Sequence, residues 1–246
     1  MKRFRFSGLL FYAALLLFLT SCGGGGSEKK SSTDTTNISS DTTKVTPEVN
    51  TTITTPQSMM IVTHKVANFE KWKASYDEHD SMRLVNGIHS YVIGRGLNDP
   101  NMVLVAVKAE DMGKAKAFAK DPSLKKAMQK GGVTGPPSIM FVTVVFQDTA
   151  VISSDLRSST TFTVKDWDAW QKAFEASKQE RLDNGLSLRA YGHDVDDNHK
   201  VRVVMALMDT ARVFAYWKSE GLKQRMAESG VIGKPDRFVY RVVQKY

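Results

Sequence analysis

The chain contains one cysteine, Cys22, so no disulfide can form within it, whatever the redox state of its compartment. No apolar run reaches the roughly 20 residues that a membrane-spanning helix needs; the stretch from Gly8 to Leu19 falls short. There is no glycine-rich phosphate loop after a strand pattern and no nucleophile elbow. His89, His193 and His199 lie on or beside strand-like stretches without a second ligand at metal spacing, so no metal is expected. The formal charge of +8 is scattered among acids rather than gathered into a basic block, which argues against nucleic acid as a partner.

What is present begins with an address. Lys2, Arg3 and Arg5 precede the apolar run, which ends in Leu19-Thr20-Ser21-Cys22. This resembles the lipobox of bacterial lipoproteins, which implies a signal peptide over 1–21 and lipidation of Cys22 as the first mature residue. The formal charge then falls from +8 to +5, because three basic residues leave with the signal. The resemblance implies a lipid-anchored place in the bacterial cell envelope, the outer membrane ahead of the inner. Residues 22–57 read as the lipidated cysteine and a disordered tether: four glycines, then Ser, Thr, Asp and Asn without an aromatic residue. As a flexible coil that stretch spans roughly 30 to 35 Å, enough to hold a folded part off the membrane surface.

The rest of the chain is written twice. Val66 to Val145 aligns with Val164 to Val243 without a gap, at a constant offset of 98. Trp72/Trp170, Arg83/Arg181, Asn86/Asn184, Gly87/Gly185, Gly94/Gly192 and Gly135/Gly233 are among the identical pairs. A constant offset over such a length marks an internal duplication. It divides the chain into a first unit over 58–148, a linker over 149–157 and a second unit over 158–246. Each copy reads as strand, helix, strand, strand, helix, strand. The spacing predicts a first strand over Met60 to Val66 and one long helix from Phe69 to Asn86, capped by Asn68 and stopped by Asn86-Gly87. Strands follow over Ile88 to Arg95 and Met102 to Ala109, then helical segments from Asp111 and from Asp121-Pro122. Gly135-Pro136-Pro137 is expected to end the helical region before a last strand, Ile139 to Phe146.

The long helix carries an unusual stripe. Phe69, Trp72, Tyr76, His79 and Arg83 fall three and four residues apart, and the second copy reads Trp167, Trp170, Phe174, Ser177 and Arg181. With the glycine-ended turn, the Gly-Val-x-Gly-x-Pro segment and, in the first copy, the Asp-Pro-Asn connection, each copy resembles a ferredoxin-like unit of the dimeric α/β-barrel superfamily, which includes antibiotic-biosynthesis monooxygenases. The resemblance implies an α+β fold of two tandem βαββαβ units packed as an intramolecular pseudo-dimeric α/β barrel. Whether two chains associate further is left open.

In members of that superfamily small ligands commonly sit between the sheet and its helices, where this stripe points. Tyr76, His79 and Arg83 would then form a catalytic or binding set: a phenol, an imidazole and a fixed cation around one apolar space. Strand alternation places His64 on the face of Val62 and Val66, toward the same space, with Trp72 as a further contact. His64 and His79 have no counterpart in the second copy, where Phe162 and Ser177 stand. This predicts one polar pocket in the first unit and a mainly structural second unit. The plainer alternatives are an arginine engaged with a helix end in both copies, a satisfied core His64, a partly exposed His79, and Trp72 as a core anchor. No cofactor is expected; haem occurs in relatives of this fold, but two histidines do not by themselves call for it. Two functions follow: a module that binds a small aromatic or amphipathic molecule or a protein partner near the membrane, or a cofactor-independent monooxygenase or isomerase with its site in the first unit.

Overall fold

A computed structural model describes residues 50–246; the expected signal, Cys22 and most of the expected tether lie outside the described residues. A short strand β1 (Thr52–Ile53) leads into the first repeat, which runs β2 (Gln57–Val66), α1 (Phe69–Glu78), α2 (Asp80–Val85), β3 (Ile88–Gly96), β4 (Met102–Ala109), α3 (Met112–Ala119), α4 (Pro122–Lys130) and β5 (Val133–Asp148). The second repeat follows the same order: β6 (Leu156–Val164), α5 (Trp167–Ala176), α6 (Lys178–Asp183), β7 (Leu186–Asp194), β8 (Lys200–Leu207), α7 (Thr210–Lys218), α8 (Glu220–Glu228) and β9 (Val231–Lys245).

The helix starts follow from local chemistry. Asn68 Oδ1 accepts the Lys71 amide at 2.8 Å, and Asp166 does the same for Ala169 at 2.7 Å, satisfying amides that no helix can bond internally. At the other end Gly87 and Gly185, with φ of +64° and +76°, turn the chain into β3 and β7.

Each repeat forms a four-stranded antiparallel sheet, β5-β2-β4-β3 in the first and β9-β6-β8-β7 in the second. The two sheets do more than cover one another's bare faces. Their edges are hydrogen-bonded, β3 to β9 and β5 to β7, which closes all eight strands into a barrel with no free edge among them. The helices lie outside, and two apolar cores fill the space between helices and sheet, one per repeat. A third cluster, including Met59, Ile61, Leu104 and Val142, lies on the inner face of the barrel.

Three expectations need correction. The helix expected over Phe69 to Asn86 is two helices, broken at His79; the second repeat breaks identically at Ser177. Gly135-Pro136-Pro137 does not precede the last strand but lies inside it. Thr63 pairs with Ser138 and Lys65 with Thr134, so the three residues bulge out opposite His64, where proline's missing N–H costs no ladder bond. Order also begins earlier than Ser58: Thr52 and Ile53 pair with Asp148 and Gln147, and β2 starts at Gln57.

Candidate functional site

Alternation along β2 sends Met60, Val62, His64 and Val66 toward the helices, while Met59 and Ile61 face the barrel interior. Above them α1 lays down Phe69, Trp72 and Tyr76. The rings of His64 and Trp72 lie 5.4 Å apart, and those of Trp72 and Tyr76 5.3 Å apart, a continuous aromatic wall. Between this wall and the sheet is a cavity of about 90 Å³ that His64, Trp72, Tyr76, His79 and Arg83 all line. It is smaller than the roughly 150 Å³ apolar cavity known to hold benzene. Met60, Met82 and Met128 form other parts of its lining, and methionine side chains repack readily around a guest.

His64 is the anomaly. It is only 4% exposed, yet among the described residues neither ring nitrogen has a hydrogen-bond partner. Loss of water around the ring pushes its pKa down to about 4, so the imidazole is neutral at pH 7. One nitrogen then carries a hydrogen and the other a lone pair, a donor and an acceptor side by side in an apolar space.

The neighbouring polar groups are tied down to different degrees. The Tyr76 hydroxyl is 2.8 Å from Ser90 Oγ, and burial first of all raises the phenol's pKa, keeping it protonated. His79 Nδ1 is 2.6 Å from the Ser75 carbonyl; that nitrogen must donate, so in the neutral ring Nε2 is the acceptor. Arg83 is committed to the backbone. Its Nη1 donates to the Tyr76 carbonyl at 2.7 Å, its Nη2 to Asp80 at 2.8 Å, and its guanidinium stacks on the Tyr76 ring at 3.7 Å. The break at His79 frees that carbonyl from the helix ladder, and the arginine seven residues from Tyr76 satisfies it. Arg181 repeats the arrangement, donating to the Phe174 carbonyl and, at 2.7 Å, to Ser177 Oγ while stacking on Phe174 at 3.9 Å. One device serves both repeats, and it spends most of the charge that the sequence offered for a ligand.

The second repeat has the matching cavity, about 110 Å³, and it is not the plainer of the two. Ser158, Thr160, Arg225 and Arg237 stand there in place of Met60, Val62, Ala127 and Ile139. Its polar groups satisfy one another: Arg225 pairs with Glu180 and donates to Tyr216 at 3.0 Å, and Arg237 donates to Thr160 at 3.3 Å while stacking on Trp217. At the His64 position Phe162 packs against Trp170 at 5.5 Å. The contrast between the repeats therefore lies in an unsatisfied polar group, present in the first, rather than in polarity. A porphyrin, with four pyrroles joined by methine bridges, does not fit either space as these side chains stand. The other histidines stand apart: His89 pairs with exposed Glu110 at 2.7 Å, and His193 and His199 bond backbone carbonyls. Ser90 and the three methionines were not singled out from sequence; only the strand facing Tyr76 in space identifies the serine.

No protein-family model matches the chain, and no curated protein matches it in sequence. Solved structures do match. A proposed monooxygenase from Fusobacterium nucleatum superposes with a TM-score of 0.53 at 13% identity, over 78% of this chain and 94% of its own. An anthrone oxidase-like protein gives 0.54 at 15% identity, over 79% and 95%. A proposed chlorite dismutase gives 0.50 at 12% identity, over 77% and 96%. At these identities the likeness shows the fold. The chain has the α/β-barrel fold of these structures, with both halves of the barrel supplied by one polypeptide.

Proposed function

We propose that this protein binds a small hydroxylated aromatic molecule in the helix–sheet cavity of its first repeat, and that Cys22 anchors it to the bacterial envelope. The observation that carries the binding reading is His64, a buried neutral imidazole with both nitrogens unpartnered beside an aromatic wall. A phenolic hydroxyl placed against it would donate to one nitrogen, while the Trp72 and Tyr76 rings and the methionines contact the ring. Such a ligand repays the cost of burying an unsatisfied polar group, which is about 1–3 kcal/mol. The repeat-two cavity lacks that incentive, because its polar groups already hold one another.

A second reading rests on His79. His79 lines the same cavity, and its neutral form with Nδ1 donating to Ser75 keeps Nε2 as an acceptor for the proton of a bound phenol or quinol, as a cofactor-independent monooxygenase or isomerase requires. The solved structures described as monooxygenases share this scaffold, and a scaffold hosts many chemistries, so they lend the reading support without choosing it.

A thermal-shift screen of phenols, quinols and aromatic acids separates these outcomes. Single-ring phenols should raise the melting temperature of the wild type and of His79→Ala but not of His64→Phe. Turnover that depends on His79, followed with an oxygen electrode or by product chromatography, would favour the enzyme; a screen with no hit, or hits untouched by His64→Phe, contradicts the binding site. For the anchor, the wild type should incorporate labelled palmitate and Cys22→Ala should not; a wild type without label, or a variant labelled equally, would refute lipidation there.

A further inference from the structure

The inner face of the barrel shows a second asymmetry between the repeats. A cavity of about 290 Å³ lies inside the closed sheet and reaches Thr149, Lys245 and Tyr246, exposed at one end. Along β2 and β4 of the first repeat its wall is apolar, with Met59, Ile61 and Leu104. At the positions 98 residues later the wall carries Arg157, Ser159 and Arg202, and Arg189 stands where the first repeat has Tyr91. One side-chain carboxylate lines the cavity, Asp148, and it already pairs with Arg189 at 2.8 Å.

The remaining polar groups are not matched. Arg157 uses Nη1 on the carbonyls of Ser154 and Leu156, both at 2.8 Å, and no carboxylate touches it among the described residues. Arg202 has no oxygen acceptor among those residues; its one polar contact is Met140 Sδ at 3.9 Å, with exposed Asp236 on β9 acting on it only through space. Ser159 is 3% exposed, lines the same cavity, and its hydroxyl has no partner. The Gln147 amide oxygen is likewise alone, although its nitrogen meets the Tyr91 hydroxyl. Turning that amide over would let the phenol donate to the oxygen and free an N–H for the cavity. A buried guanidinium, Arg157, and a half-buried one, Arg202, without counter-ions are costly, and a fold that needed only packing could have kept the methionine and leucine of its first repeat.

We infer that the barrel interior is a second binding site, for an amphipathic carboxylate whose head meets Arg202 and Ser159, diagonal neighbours in the β6–β8 register, and whose apolar body lies against Met59, Ile61 and Leu104. Arg202 supplies the charge-assisted bond to the carboxylate, the serine supplies a neutral donor, and the opposite wall takes the hydrocarbon. The site is separated from the phenol cavity by the sheet itself, since Met59 and Ile61 point to one side and Met60 and Val62 to the other.

The test uses the full chain in non-ionic detergent, with octanoate as the probe and octanol as the matched neutral control. Octanoate should bind and raise the melting temperature, and octanol should do neither to a comparable degree. Arg202→Leu, which restores the first repeat's residue, should weaken octanoate binding about tenfold or more, the worth of one charge-assisted hydrogen bond. Arg202→Gln should do the same if the leucine variant folds poorly. Binding of octanoate must survive His64→Phe, and a phenol shift must survive Arg202→Leu, so the two sites stand or fall separately. Equal binding of octanoate and octanol, or octanoate binding unchanged in both Arg202 variants, would overturn the inference.

Discussion

His64→Phe should stabilise the protein at pH 7 by about 1–3 kcal/mol, the cost of holding an imidazole in an apolar interior with neither nitrogen bonded. The new ring has a precedent within the molecule: Phe162 occupies the matching position against Trp170, at nearly the same separation as His64 from Trp72. The gain should grow in acid. The folded protein holds His64 neutral down to about pH 4, whereas the unfolded chain takes up the proton near the ordinary value of 6.5. Between those limits the unfolded state binds more protons, so wild-type stability is complete above pH 6.5 and falls as the pH drops toward 4. The loss amounts to roughly 3 kcal/mol and is absent from the phenylalanine variant. Urea denaturation of both proteins from pH 4 to 8 measures it, because the contribution of the carboxylates is common to the pair. Parallel profiles would mean that water or a protein group already satisfies His64. A stabilising substitution that abolishes binding is the expected mark of a residue kept for a ligand.

The largest loss of stability should come from one carbon atom at a seam. Gly192 pairs with Val144 where β7 meets β5, and a Cβ there would stand 2.1 Å from the Thr143 carbonyl oxygen and 2.7 Å from Val144 Cα. Backbone cannot yield without separating the two strands, so Gly192→Ala should cost more than about 3 kcal/mol, beyond ordinary overpacking. Gly94 is its twin at the β3–β9 seam, but there a Cβ would meet the Tyr240 ring, 2.1 Å from Cδ2. That clash involves a side chain, so Gly94→Ala should be partly rescued by Tyr240→Val, which copies Val142 of the first repeat; Gly192→Ala has no such rescue. Gly221, where a Cβ would meet nothing within 4 Å, is the control: Gly221→Ala in α8 should gain about 0.5–1 kcal/mol. Calorimetry reads the stabilities, and light scattering shows whether an opened seam pairs with a second chain instead. A Gly192→Ala protein that melts like the wild type would mean that the barrel does not close there.

Much of this architecture is legible in the sequence, because a gapless offset lets each repeat check the other. Asn68 and Asp166, Gly87 and Gly185, and the aromatic stripe all stand where the pattern places them. The break at His79 is hidden, since Tyr76 and Arg83 are seven residues apart and share a face whether the helix runs on or stops between them. What ends the helix is a side chain returning to a carbonyl, which leaves no mark in periodicity. Gly135-Pro136-Pro137 reads as a breaker because local propensity sees the prolines and not the ladder on either side. His64 can be placed on its face by alternation, but its isolation is a property of its neighbours in space. The basic half of the barrel interior is present in the alignment of the repeats as Met59/Arg157 and Leu104/Arg202. It acquires meaning only once the sheet is known to close on itself.

Histidine-selective nitrogen NMR, with His64→Phe used to assign the resonance, tests the central claim most directly. The account predicts a His64 ring that remains neutral from pH 8 to below pH 5 and whose lone-pair nitrogen shifts on addition of a single-ring phenol, while His89, on the exposed surface, stays put. A His64 ring that titrates near 6.5, or that is indifferent to every phenol that binds, would contradict it.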